Sequence, residues 1–86
     1  MRQLQEGERV ALFDKINGRY YHTVRGGDVL WTKDRDDAMK FERLDNVFQS
    51  LIRIGRHLNR AHQNPEIELH IIKRQGWVKI GTVTHF

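Results

Sequence analysis

One apolar stripe sets the terms for this chain. Val47, Leu51, Ile54, Leu58 and Ala61 recur at i, i+4, i+7, i+11 and i+14. That spacing keeps five side chains on one side of an α-helix. It predicts a single long helix from about Asn46 to Gln63, with Phe48, Ile52 and Gly55 flanking the stripe. Asn46 and Gln49 have the spacing of an approximate capping box, and Pro65 disfavours helical geometry at Asn64. A lone helix cannot bury its stripe against itself. The rest of the chain must supply the surface that covers it.

That surface reads as strand. Asn17-Gly18 separates "VALFDKI" from "RYYHTV", and Gly26-Gly27 separates "YYHTVR" from "DVLWTK". Both dipeptides tolerate the positive φ of two-residue hairpin turns. With both turns tight, Phe13 faces His22, which faces Trp31, and Leu12 faces Thr23, which faces Leu30. One face then carries Ala11, Phe13, Tyr20, His22, Val24, Val29 and Trp31. The other carries Val10, Leu12, Ile16, Tyr21, Thr23 and Leu30. Both are apolar enough to be covered, so alternation leaves the inner face open. Residues 34–41 predict a short helical turn capped by Asp34, with Phe41 and Leu44 returning to the core. After the helix, "IELHIIK" and "WVKIGTVTH" alternate about a turn near Gln75-Gly76. Ile67, Leu69, Ile71, Val78 and Ile80 would lie under the helix. Glu68, His70, Ile72, Arg74, Trp77 and Lys79 would lie on the other side. The expected fold is α+β: an antiparallel sheet, made of an N-terminal three-stranded meander plus a C-terminal hairpin, packed on one long helix.

With 86 residues, the expected organisation is a single domain, 1–86, with a limited core. Without cysteine, disulfides, thiolate metal sites and cysteine nucleophiles are excluded. The first ten residues hold no apolar segment of signal-peptide type, and no apolar run is long enough to span a membrane. A cytoplasmic protein without membrane contact is expected, with no cofactor. The formal net charge is +4, unevenly spread. Residues 1–43 carry nine Lys/Arg against eight Asp/Glu, and residues 44–86 carry six against three. A basic excess favours anionic partners.

The excess gathers in "RIGRHLNRAH", residues 53–62. No acid lies between Asp45 and Glu66. Arg53, Arg56 and Arg60 stand at i, i+3 and i+7 beside His57, opposite the apolar stripe. Arginine presents a fork of donors matched to phosphate and carboxylate, although charged helix faces are often simply solvated. A second basic group surrounds Trp77: Lys73, Arg74 and Lys79 at a hairpin tip, where Arg74 and Trp77 could stack. Together, Arg53, Arg56, His57, Arg60, Lys73, Arg74, Trp77 and Lys79 form the candidate surface for a DNA or RNA backbone. The same residues suit an acidic protein surface. Phe13, Tyr20, His22 and Trp31 suggest an aromatic sheet face of the kind that stacks bases, or ordinary core.

No catalytic signature is present. Glu66, Glu68 and His70 alternate on one side of a strand and offer a generic set of metal ligands, as small nucleases use. His57, His62 and His85 have no ligand spacing. The reading is therefore a non-enzymatic binding module for nucleic acid. The alternative is a protein-binding inhibitor or adaptor, and the remote alternative a metal-dependent nuclease. A homodimer through an edge strand also suits so small a core.

Residues 17–44 resemble a single fascin-type β-trefoil repeat in Asn17-Gly18-x-Tyr20, the Gly26-Gly27 turn and Ala38-x-x-Phe41. A trefoil needs many such hairpins, whereas here a long helix follows. The resemblance is one of shared hairpin chemistry and implies no actin or sugar binding. The compact, motif-poor build is also similar in style to small proteins of phages and mobile elements.

Overall fold

In the computed structural model, the described residues are 7–60, 66–73 and 76–83, with the backbone alone described at 59 and 60. The strands are β1 (Arg9–Asp14), β2 (Arg19–Arg25), β3 (Asp28–Thr32), β4 (Ile67–Lys73) and β5 (Gly76–Val83). The helix α1 spans Leu44–Arg60. All five strands form one antiparallel sheet in the order β3-β2-β1-β4-β5. The meander and the C-terminal hairpin are thus joined through the β1–β4 seam, where Val10 pairs with Ile71 and Leu12 with Leu69.

The apolar stripe behaves as its spacing predicts. Val47, Leu51, Ile54 and Leu58 are buried with Val10, Leu12, Tyr21, Ile67 and Ile71 in the main core. Ala61 and Pro65 lie outside the described residues. The helix begins at Leu44 and not near Asn46. Asn46 therefore sits inside the first turn and caps nothing. Asp45 supplies the negative charge suited to the helix N-terminus.

The first hairpin departs from the two-residue turn. Phe13 pairs with Tyr20, not His22, and Asp14 pairs with Arg19, around a four-residue loop. Asp14 is the cause. Its carboxylate is 2 % exposed. It accepts bonds from Asn17 N (3.3 Å), Asn17 Nδ2 (2.9 Å) and Arg19 Nε (2.9 Å). A buried carboxylate requires such partners, and satisfying them outweighs the local preference of Asn-Gly for a tighter turn. The Arg19 guanidinium also stacks 4.3 Å from the centre of the Trp31 ring. The second turn does have two residues. Gly26 and Gly27 take φ of +60° and +86°, and Arg25 pairs with Asp28.

A bulge corrects the facial assignment. Tyr21 pairs with Trp31, but Thr23 pairs with Leu30, which leaves His22 as the extra residue. One inserted residue exchanges the faces of everything beyond it. Val24, Val29 and Trp31 therefore join Tyr21 on the helix side, not Tyr20 on the other. A second bulge in β5, between the pairs Leu69–Gly81 and His70–Lys79, displaces Ile80. Val78 and Ile80, which the alternation places beneath the helix, are instead 48 % and 50 % exposed at the sheet edge.

β1 and β2 pair only near their loop and then part. Residues 38–41 fill the gap. Met39 N donates to the Tyr21 carbonyl (2.9 Å), while Val10 and Phe41 exchange bonds of 2.9 and 2.8 Å. Ala38 lies with Ala11 and Tyr20 on one face, and Phe41 stacks on Tyr21 in the core of the other. The chain therefore crosses the sheet plane at this point. The preceding residues form the expected short turn. Arg35–Asp37 is 3-10 helix, and Asp34 caps it by accepting from Asp36 N. Among the described residues, no helix is long and apolar enough to cross a membrane.

Phe41→Ala should cost about 3–5 kcal/mol in urea unfolding, since it empties the crossing point. Asp14→Ala should cost about 2–3 kcal/mol by leaving Arg19 unpaired. Ile16→Ala, at a 58 % exposed position, should stay within about 0.5 kcal/mol. Equal costs at all three positions would contradict this arrangement.

Candidate functional site

The helix carries its basic residues away from the core. Arg53 and Arg56 are exposed and His57 is half-buried. Among the described residues, neither arginine has an acid, hydrogen-bond or ring partner. Several other cations are engaged, Arg9 with Glu42, Lys15 with Glu66, Arg19 with Asp14, Arg43 with Asp45 and Lys79 with Glu68, whereas Arg25, Lys33 and Lys73 are exposed and, among the described residues, also without such a partner. Arg60 continues the helix, but its side chain lies outside the described residues.

The arginines also border a groove. Arg53, Arg56 and His57, with Gln49 and Ile52, form one wall of a depression of about 600 Å³, opposite Val24 and Gly27 of the β2–β3 hairpin. A neighbouring depression of about 550 Å³ runs toward the start of the helix, past Asn46, Met39, Lys40 and Arg43. The two share Val24, Gln49 and Arg53, so they form one groove along α1. Among the described residues, no carboxylate lines the Arg56 end. Glu42 lines the other end and is paired with Arg9 at 3.3 Å.

Trp77 and Lys79 of the second basic group lie elsewhere. Trp77 packs with Ala11, Tyr20 and Ala38, in a cluster that includes no helix residue. Lys79 shares that side, where its Nζ meets Glu68 (3.1 Å). The sheet therefore separates Trp77 and Lys79 from Arg53, Arg56 and His57. Lys73 is exposed at the end of β4, and Arg74 lies outside the described residues. The guanidinium over Trp77 is that of Arg35, 4.9 Å from the ring centre.

This opposite face holds a cluster that neither hairpin reveals alone. Phe13 and Tyr20 stand 4.8 Å apart, Tyr20 and Trp77 5.4 Å, and Phe13 and His70 5.4 Å. Arg35 Nε donates to the Tyr20 hydroxyl at 3.2 Å. The alternation of each strand pair signals its half of the cluster. Their union depends on the β1–β4 pairing, which is not a local feature.

Glu68 accepts from His70 Nε2 and from Lys79 Nζ, each at 3.1 Å. Glu66 is instead paired with Lys15. The suggested ligand trio thus does not converge, and among the described residues no three His, Cys, Asp or Glu side chains form a metal-sized group. His62 and His85 lie outside the described residues.

The His70 hydrogen bond, with help from Lys79 and against the effect of burial, holds the Glu68 carboxyl below its ordinary value of 4.5. A depressed carboxyl contributes stability that is present above its unfolded pKa and is lost as pH falls through the folded one. The Glu68→Gln variant should therefore be less stable than the wild type at neutral pH. The gap should narrow below about pH 4.5, as read by urea midpoints across the acid range. A gap independent of pH would show that the charge of Glu68 does not matter. No family model, curated protein or solved structure matches this chain.

Proposed function

We propose that this domain is a non-enzymatic binding module that holds a nucleic-acid backbone along α1. The observation that carries the reading is the state of Arg53 and Arg56. They are one helical turn apart and exposed, and among the described residues they have no partners and no carboxylate lines their end of the groove. Free guanidinium groups held on a rigid helix suit phosphate oxygens, because the donors are already aligned and need not leave an intramolecular acid. Arg60 follows them at helical spacing. Trp77 and Lys79, on the other side of the sheet, do not enter this surface.

A second reading has its own observation. β5 is an eight-residue strand at the sheet edge. Val78 and Ile80 on it are 48 % and 50 % exposed. A long edge with apolar side chains is a template for strand addition. An inhibitor or adaptor would use that edge to meet a protein, or a second copy of the chain.

Fluorescence anisotropy with labelled DNA and RNA tests the first reading. Binding should weaken steeply with salt, with a logarithmic slope of roughly −0.7 to −0.9 for each phosphate neutralised. Arg53→Ala/Arg56→Ala should lower affinity at least about tenfold at low salt. Flat titrations with every nucleic acid would end this reading. Concentration-dependent self-association that disappears in Ile80→Lys would instead support the edge-strand reading.

A further inference from the structure

We infer that the groove beside α1 takes a single-stranded nucleic acid, with phosphates on its arginines and bases in its interior; this rests on the reading proposed above. The groove extends from Arg43 to Arg56. At the rise of an α-helix, that is about 20 Å. It is bounded by the helix on one side and by the β2–β3 hairpin and residues 39–43 on the other.

Its lining divides by chemistry. Lys40, Arg43, Arg53 and Arg56 contribute positive charge, with Arg43 paired to Asp45, and Glu42 contributes a carboxylate paired to Arg9. Asn46 and Gln49 contribute exposed amides, each able to donate and accept. Val24, Met39 and Ile52 contribute apolar surface, with Met39 and Ile52 being 37 % and 55 % exposed. A strand with unpaired bases uses all three: phosphates on the cations, base edges on the amides and base faces on the apolar walls. A duplex keeps its bases paired inward and could use only the cations at the rim. An acidic peptide would use the cations but has nothing planar for the interior. Gln49 sits where the two halves of the groove meet, so it reports on the interior and not on the charge.

The test is anisotropy at matched salt with a labelled single strand of about twelve nucleotides, as DNA and as RNA. The corresponding duplex and a poly-glutamate competitor run beside it. Wild type is compared with Gln49→Ala and Arg53→Ala/Arg56→Ala, with circular dichroism to confirm folding. The single strand should bind roughly tenfold more tightly than the duplex. Gln49→Ala should weaken single-strand binding about threefold to tenfold and leave duplex binding within about twofold. Equal or tighter duplex binding that still depends on the arginines would overturn the groove assignment and leave the backbone-binding reading standing, as would indifference to Gln49→Ala. Poly-glutamate competing as well as the oligonucleotide would overturn it in favour of an acidic protein. No binding to any nucleic acid would overturn both readings.

Discussion

Everything in this domain is arranged around a strand pair that comes apart. β1 and β2 share a loop but only two residue pairs. Beyond them, β1 runs on fully buried, with Val10, Ala11 and Leu12 all at 0 % exposure. A buried backbone with unpaired groups is costly. Residues 38–41 satisfy Val10 from the side that β2 has left and hold Tyr21 through Met39. That repair fixes where the chain crosses the sheet, brings Phe41 into the helix core and delivers the chain to the start of α1. It also forms one wall of the groove, through Met39 and Lys40. The groove is a by-product of mending the sheet.

The same crossing gives the sheet two unlike faces. One is sealed by the helix, whose outer side carries the unpartnered arginines. The other is partly covered by the short turn, where Arg35 lies over Tyr20 and Trp77. Charge is handled differently on the two sides. Near the aromatic cluster, Glu68 neutralises Lys79 and bonds His70. On the helix, no carboxylate answers Arg53 or Arg56 among the described residues. Cations left unanswered give that side of the molecule a positive field.

The main elements are legible in the sequence because their signals are local. Helical spacing marks Val47, Leu51, Ile54 and Leu58 as core, and Gly26-Gly27 marks a turn. Asp34 marks a cap. What misleads is competition between local preference and tertiary satisfaction. Asn17-Gly18 favours a two-residue turn, but the buried Asp14 draws Asn17 and Arg19 to itself and sets a longer loop. A bulge at His22 then reverses the facing of Trp31, and nothing in the alternating pattern announces it. The candidate site fares similarly. The arginine stripe is readable from periodicity alone. The separation of Trp77 from that stripe follows from which face of the sheet receives the helix, and both faces of the first three strands are apolar. The aromatic cluster needs the β1–β4 pairing, which joins residues some sixty positions apart.

That pairing also governs when the molecule can exist at all during synthesis. β1 is central in the sheet, yet its β4 partner follows it in the chain only after the helix and so leaves the ribosome well after it. Until residue 73 is available, Val10 and Leu12 have one open flank, with backbone donors and acceptors unmatched along six positions. The nascent chain thus carries an adhesive strand from β1 until β4 has followed it. The core it must close draws on both halves at once, with Val10, Leu12 and Tyr21 from the meander and Ile67 and Ile71 from the hairpin.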